Sequence, residues 1–211
     1  MEDFGNGSTR NTSKNLVLVF DLDGTIAGKY VNFQNANSSE NDIQLNPNLL
    51  SLLQRIEEIR DSVSVFLLTN NSDIFYITMV DALITSKLYG SKLNIRRTYF
   101  DDVMSLNDSR RNSSPKKTLK DIETMLIDTD RSIEGLAERT FFFDDQEHPD
   151  LRANLPEGHY IKITPPFTQG VEDTTDYSSL RLRGGYRRKT RTKIKRKTKK
   201  SSKSSKHSKH Y

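Results

Sequence analysis

Val19-Phe20-Asp21-Leu22-Asp23-Gly24-Thr25 is the stretch on which the reading of this chain turns. Leu16 to Phe20 is an unbroken apolar run that ends in carboxylates, the pattern of a buried parallel strand carrying polar side chains at its carboxyl end. Val63 to Leu68 and Thr140 to Phe143 repeat the design and deliver Thr69-Asn70 and Asp144-Asp145. Tyr160 to Ile163, ahead of Pro165-Pro166, predicts another strand, and Arg97 to Phe100 a fifth.

Helical patterns lie between these runs. Leu49, Leu52, Leu53, Ile56 and Ile59 recur at three- and four-residue steps, with Asn46 placed to cap and Pro47 in the first turn. Ser72 to Leu88 predicts a second helix with apolar Ile74, Ile77, Val80, Leu83, Ile84 and Leu88, ending near Gly90. Ser114-Pro115 opens a third, with Leu119, Ile122 and Met125 inward. Strands alternating with helices imply an α/β fold, a Rossmann-like parallel sheet with flanking helices and right-handed crossovers.

The 211 residues divide by charge. Of 33 Lys and Arg, 15 fall in residues 181–211, which hold no Asp or Glu, so the remainder carries 18 basic against 28 acidic residues. The net charge of +5 therefore describes neither part. The expected organisation is a flexible amino terminus (1–14), one folded domain (15–170) and a disordered basic tail (171–211). No apolar run approaches the roughly 20 residues that span a bilayer, and the amino terminus is polar, so a soluble intracellular protein is expected. The absence of cysteine excludes disulfides and thiolate metal sites.

The polar residues at the strand ends point to phosphoryl transfer. Asp21 is the candidate nucleophile, because a carboxylate can attack phosphorus and split one hard displacement into two. Asp23, two residues on, is the candidate acid and base. Gly24 permits the tight turn that follows, and Thr25 is placed to hold it. Asp144 and Asp145 follow three phenylalanines, where adjacent carboxylates repel unless a cation compensates them, which predicts magnesium as cofactor. Thr69, with Asn70, can hold phosphoryl oxygens, although a threonine before a helix also serves as a turn residue. Lys116 and Lys117 fall in the first turn of the third predicted helix, where the macrodipole disfavours cations and an anion nearby would resolve the conflict. Helical phase favours Lys116. His148, His159, His207 and His210 show no metal-binding spacing and are read as surface residues. Asp101-Asp102 is read as a turn after Phe100.

The four segments Val19 to Thr25, Phe66 to Asn70, Pro115 to Lys117 and Phe141 to Asp145 resemble, in that order, the motifs of the haloacid dehalogenase superfamily of phosphatases and phosphotransferases, over roughly Asn15 to Phe167. The resemblance implies a site at the carboxyl ends of the parallel strands, with Asp21, the Asp23 carbonyl and Asp145 on magnesium. It further implies a direct or water-mediated Asp144, and Asp150 just outside that shell. The spacing Lys117-x-Leu119-x-x-Ile122 is similar to that of capless protein phosphatases in the superfamily and ranks Lys117 ahead, although the proline here precedes the lysines. Neither the polar segment Ile26 to Leu45 nor Asn71 to Ser114 has the apolar content of a cap domain, so a capless site open to large substrates is expected.

The basic tail calls for a polyanion, nucleic acid above all, with a nuclear or virion-associated location in keeping with it. The expected substrate is a phosphate monoester on a nucleic-acid end, a nucleotide or a phosphoprotein. The competing reading is a catalytically idle α/β domain in a nucleic-acid-binding or virion assembly protein.

Overall fold

The computed structural model describes residues 16–28, 31, 39–90, 98–111, 115–168, 171, 173–177 and 180. The amino terminus 1–14, the middle of the segment between Ile26 and Leu45, Arg97 and the tail 181–211 lie outside the described residues.

Five strands, β1 (Leu16–Phe20), β2 (Val63–Leu68), β3 (Asp102–Met104), β4 (Thr140–Asp144) and β5 (Tyr160–Lys162), form one all-parallel sheet in the order β3-β2-β1-β4-β5. β1 is central, with Val17 opposite Ser64 on one side and Thr140 on the other. Its alternation sorts the core into two halves. Leu18 and Phe20 pack with α1 (Pro47–Glu57) and α2 (Ile74–Tyr89), while Val17 and Val19 pack with α3 (Leu119–Asp128) and α5 (Pro149–Asn154). A fourth helix, α4 (Leu136–Arg139), is a single turn leading into β4. The chain runs outward from β1 to β3 and then returns to β4 on the other side of β1. The crevice at the carboxyl ends of β1 and β4 is therefore the topological switch point, where open α/β sheets bind ligands.

Asn46 caps α1 as the sequence predicts, its Oδ1 accepting from the amides of Asn48 and Leu49 at 3.1 and 3.2 Å. Two expectations are corrected. The fifth strand is Asp102–Met104 and not Arg97 to Phe100. Tyr99 and Phe100 turn into the core, their amides held by the buried Asp81, and Asp101 takes the Val65 amide at 2.9 Å, so the ladder begins only at Asp102 opposite Phe66. α3 starts at Leu119, not at Ser114-Pro115, because Thr118 and Asp121 form a reciprocal capping box. In α2 the buried face runs through Tyr76, Ile77, Val80 and Ile84, and Ile74 is exposed at the first position after the Asp73 cap.

The packed chain continues beyond residue 170. Asp173, Tyr177 and Leu180 are buried. Asp173 Oδ2 receives Asn46 Nδ2 at 2.8 Å and the Tyr177 hydroxyl at 2.6 Å, and Tyr177 lies against Phe143 with ring centroids 6.2 Å apart. A chain ended at residue 170 loses these groups, and deleting one buried aromatic alone costs about 3–5 kcal/mol. Thermal denaturation should show a chain ending at Gly170 melting about 10 °C below one ending at Leu180. Equal melting points would mean that this segment does not stabilise the domain.

Candidate active site

The first carboxylate is set by the end of β1. The Asp21 amide donates to Phe143 O at 2.9 Å, which locks this residue to the end of β4, and Phe20 stacks on Phe143 with centroids 4.5 Å apart. The following loop folds back on itself, Ile26 and Ala27 both donating to Leu22 O at 2.9 Å. Gly24 has φ +76°, and a Cβ there would lie 2.6 Å from Asp145 Oδ2. Glycine is thus needed twice over, for the turn and for the close approach of Asp145.

Asp21, Asp144 and Asp145 each place an oxygen within 4.8 Å of the others. Lys117 Nζ bridges two of them, donating to Asp21 Oδ1 and, at 2.7 Å, to Asp144 Oδ2. All three groups of this bridge are buried, the lysine to 1% exposure. Lys117 precedes the Thr118 cap, so it lies outside the helix's first turn, contrary to the expectation for both lysines, and Lys116 beside it is exposed. The bridge joins the residues expected as nucleophile, lysine and one metal carboxylate.

Asp23 stands beside this cluster. Its Oδ2 accepts from Asn71 Nδ2 at 3.0 Å, and its buried Oδ1 has no partner among the described residues. It contributes no carboxylate to the three-residue cluster. Thr25 is fully buried and its hydroxyl makes no hydrogen bond among the described residues, so the turn is held by backbone contacts instead. The Thr69 hydroxyl accepts from the Asn71 amide at 3.0 Å and Asn70 Oδ1 accepts from Arg111 Nη2 at 3.1 Å. Asp150 is turned to another task, accepting the Leu119 amide at the start of α3 at 3.0 Å.

Three residues of the site escape a reading by motif. Arg111 is buried and ties Thr69 O to Asn70 through its two Nη atoms, and a cavity of about 470 Å³ lined by Leu106, Asn107, Asp108, Ser109, Arg111 and Pro115 opens beside it. Asn71 adjoins the Thr69-Asn70 pair and touches Asp23. His148, expected at the surface, is buried, with Nδ1 accepting from the Lys117 amide at 3.4 Å and Nε2 lying 3.1 Å from Asp144 Oδ2. Only its position four residues after Asp144 marked it in the sequence. The other described histidine, His159, stacks on Phe141 and contacts Thr140 O at 3.0 Å.

No family model matches the chain, and no curated protein matches it. Among solved structures, a hypothetical protein from Xanthomonas campestris is similar at a TM-score of 0.40 and 14% identity, over 68% of this chain and 62% of that one. A chain of the Pnkp1/Rnl/Hen1 complex is similar at a TM-score of 0.41 and 18% identity, over 68% of this chain and 44% of that one. This chain thus covers less than two thirds of either. What the site can do rests on its own geometry. No helix among the described residues is long and apolar enough to cross a membrane.

The electrostatics fit a hard divalent cation held by oxygen. Burial, reinforced by Asp144 and opposed by Lys117, pushes Asp21 up to about 7. Burial and the neighbouring Asp144 push Asp145 up to about 6, and one Asp145 oxygen is buried with no partner among the described residues. Burial also raises Asp23, against the Asn71 hydrogen bond. Burial acts in the same direction on Asp144, but the His148 imidazole and Lys117 outweigh it and hold that group below the usual carboxylate range. Two carboxylates that resist ionisation, beside an acceptor without a partner among the described residues, make a site whose charge a divalent cation would balance.

The pH dependence follows from the signs. Asp21 and Asp145 have folded values above the unfolded value of about 3.9. Without a cation their contribution to stability is fully present below about pH 4 and is lost as pH rises through 6 and 7. A bound divalent ion favours the ionised forms and competes with protons. Magnesium should therefore raise the melting temperature of chelator-treated protein by several degrees at pH 8 and by much less at pH 5.5. A shift that is equal at the two pH values, or absent at both, would contradict a carboxylate cage.

Proposed function

We propose that the protein is a magnesium-dependent phosphomonoester hydrolase that works through an aspartyl-phosphate on Asp21. The observation that carries this reading is the buried bridge from Lys117 to Asp21 and Asp144, with Asp145 alongside. A nucleophile, a cation for the phosphoryl oxygens and carboxylates for a metal are the complete electrostatic requirement of phosphoryl transfer. They converge at the switch point of an α/β sheet, from three separate segments of the chain.

Asp21 and Asp145 would hold the ion, with Asp144 reaching it through water and the Asp23 carbonyl on the same loop as a further oxygen. Magnesium supplies neutralisation of the charge on the phosphoryl oxygens. In the first half-reaction an Asp21 oxygen forms a bond to phosphorus as the bond to the leaving oxygen breaks, and Asp23 gives that oxygen a proton. Its raised pKa suits an acid, and its unpartnered Oδ1 is the oxygen free to carry the proton. In the second half-reaction Asp23 takes a proton from water, the water oxygen bonds to phosphorus, and the bond between phosphorus and the Asp21 oxygen breaks to release inorganic phosphate and free Asp21. Lys117 steadies the charge on the transferring oxygens. Arg111, by holding Thr69 and Asn70, shapes the loop that faces them, and the cavity beside it has room for a leaving group.

Asp21→Asn should abolish turnover of an aryl phosphate without loss of fold. Lys117→Met should lower kcat by about 100-fold or more, the usual loss on removing a charge-stabilising donor, while Lys116→Met should leave it within a factor of about three. Steady-state kinetics on the three variants decides this, and an active Asp21→Asn would defeat the assignment. Inactivity of the wild type on aryl phosphates, nucleotides, phosphopeptides and phosphorylated oligonucleotides, with and without magnesium, would favour the idle nucleic-acid-binding domain.

The substrate class proposed is a phosphorylated nucleic-acid end, a nucleotide or a phosphoprotein, with the 181–211 tail as the element that meets a polyanion. Its 15 basic residues without an acidic one are the basis for this. Deletion after Leu180 should leave turnover of a small ester nearly unchanged while weakening nucleic-acid binding and flattening its salt dependence. Filter binding across a salt series tests this, and unchanged binding at low salt would remove the tail from the account.

A further inference from the structure

We propose that His148 is a positioning residue that locks Lys117 and Asp144 into one arrangement, and so divides the adjacent carboxylates into one that serves the lysine and one left for the metal. The role in turnover rests on the phosphatase reading above; the role in metal binding stands apart from it. The imidazole lies between the two groups. Its Nδ1 accepts from the Lys117 amide at 3.4 Å, so a neutral ring carries its proton on Nε2. That nitrogen lies 3.1 Å from Asp144 Oδ2, an ion-pair distance, and meets hydrogen-bond geometry with no described residue. The same Oδ2 receives Lys117 Nζ at 2.7 Å. A closed circuit results, from the Lys117 main chain through the ring to Asp144 and back along the lysine side chain.

The ring is itself held. The His148 amide donates to the Tyr160 hydroxyl at 3.1 Å, that hydroxyl donates to Gln146 O at 2.5 Å, and Phe142 meets the imidazole at 89° with centroids 6.0 Å apart. Asp144 Oδ1 is taken by the Gln146 amide at 2.8 Å. Both Asp144 oxygens are thereby engaged within the protein, whereas Asp145 keeps a buried oxygen without a partner among the described residues. Without the imidazole, the Lys117 amide loses its acceptor and Asp144 is held by the lysine and one backbone amide alone. Groups that orient the ligands of a metal site commonly influence affinity or activity by about 10- to 100-fold.

Three variants of the full chain separate the two contacts. His148→Phe keeps the ring and removes both nitrogens, His148→Gln offers an amide nitrogen in place of Nε2, and His148→Asn offers an amide oxygen in place of Nδ1. Magnesium alone, titrated calorimetrically without substrate, should bind His148→Phe about 10-fold more weakly than wild type. His148→Gln should recover most of that loss and His148→Asn little of it. On an aryl phosphate, kcat of His148→Phe should fall by about 10- to 100-fold with KM little changed. If His148→Phe does not fold, the Gln and Asn variants carry the comparison. A wild type that turns over no ester while magnesium affinity follows this order supports the positioning role and defeats the phosphatase reading. An active wild type with magnesium affinity and kcat insensitive to all three substitutions overturns the positioning role and leaves that reading intact. Losses that track melting temperature alone, without distinction between Gln and Asn, overturn it too, as does a wild type that takes up no magnesium.

Discussion

The interaction on which the rest depends is the buried bridge from Lys117 to Asp21 and Asp144. Two carboxylates at the ends of adjacent parallel strands, almost out of contact with water, repel each other and lose their hydration. Their ionised forms persist only with a positive charge between them, and the interior pair is worth keeping only where its remaining hydrogen bonds are satisfied. Much of the surrounding structure supplies those conditions. β1 and β4 must be neighbours for the two carboxylates to meet, and the chain achieves this by laying down β2 and β3 on one side of β1 and then crossing back to the other. The loop before α3 must enter the crevice so that Lys117 can reach both oxygens. Fully buried Phe142, with the lysine nitrogen 5.7 Å from its ring, closes the site from one side.

A second junction ties the crevice to the rest of the fold through one amide. Asn46 Nδ2 donates to Thr25 O at 3.1 Å and to Asp173 at 2.8 Å, while its Oδ1 caps α1. A single buried side chain therefore couples the loop after Asp21, the start of the first helix and the segment that follows β5. Phe167 adds a further tie, its amide donating to Gly24 O at 2.7 Å. The turn that carries Asp23 is thus clamped from several directions, with Gly24 leaving room for the Asp145 carboxylate.

The parts legible in the sequence are those written in local pattern. Continuous apolar runs that end in carboxylates marked β1, β2 and β4, and the Asn46-Pro47 pair marked the start of α1, because strand burial and helix capping are decided within a few residues. The third helix was misplaced because Ser114-Pro115 and Thr118 to Asp121 both look like helix starts. The choice went to the capping box, aided by a carboxylate from Asp150 that only the fold brings near. The weak strand was misplaced because Tyr99 and Phe100 have strand composition but are drawn into the core by Asp81. Within the site, motif spacing pointed to the carboxylates and to a pair of lysines. It could not reach Arg111 or His148, whose roles exist only once separate loops meet. Asp173 and Tyr177 were hidden for the same reason, since a polar segment beyond the last strand reads as tail until its partners at Asn46 and Phe143 are in place.

Charge is divided along the chain in a way that bears on how a polyanionic substrate could approach. Outside residues 181–211 the acidic residues outnumber the basic by 28 to 18, so that part of the protein repels a nucleic acid at long range. At physiological salt such repulsion fades beyond about 8 Å, and contact then depends on local groups. Near the crevice the described cations are already engaged: Lys117 with Asp21 and Asp144, and Arg111 with Thr69 and Asn70. Little positive charge remains there to draw a polyanion in from a distance. A basic segment on the same chain can supply that attraction without altering the site, because tethering raises local concentration and leaves the chemistry to the carboxylates. The separation has a structural rationale as well. A cluster of cations built into the crevice itself would compete with a metal ion for the same carboxylates, whereas basic residues elsewhere in the sequence would leave the site's own charges balanced.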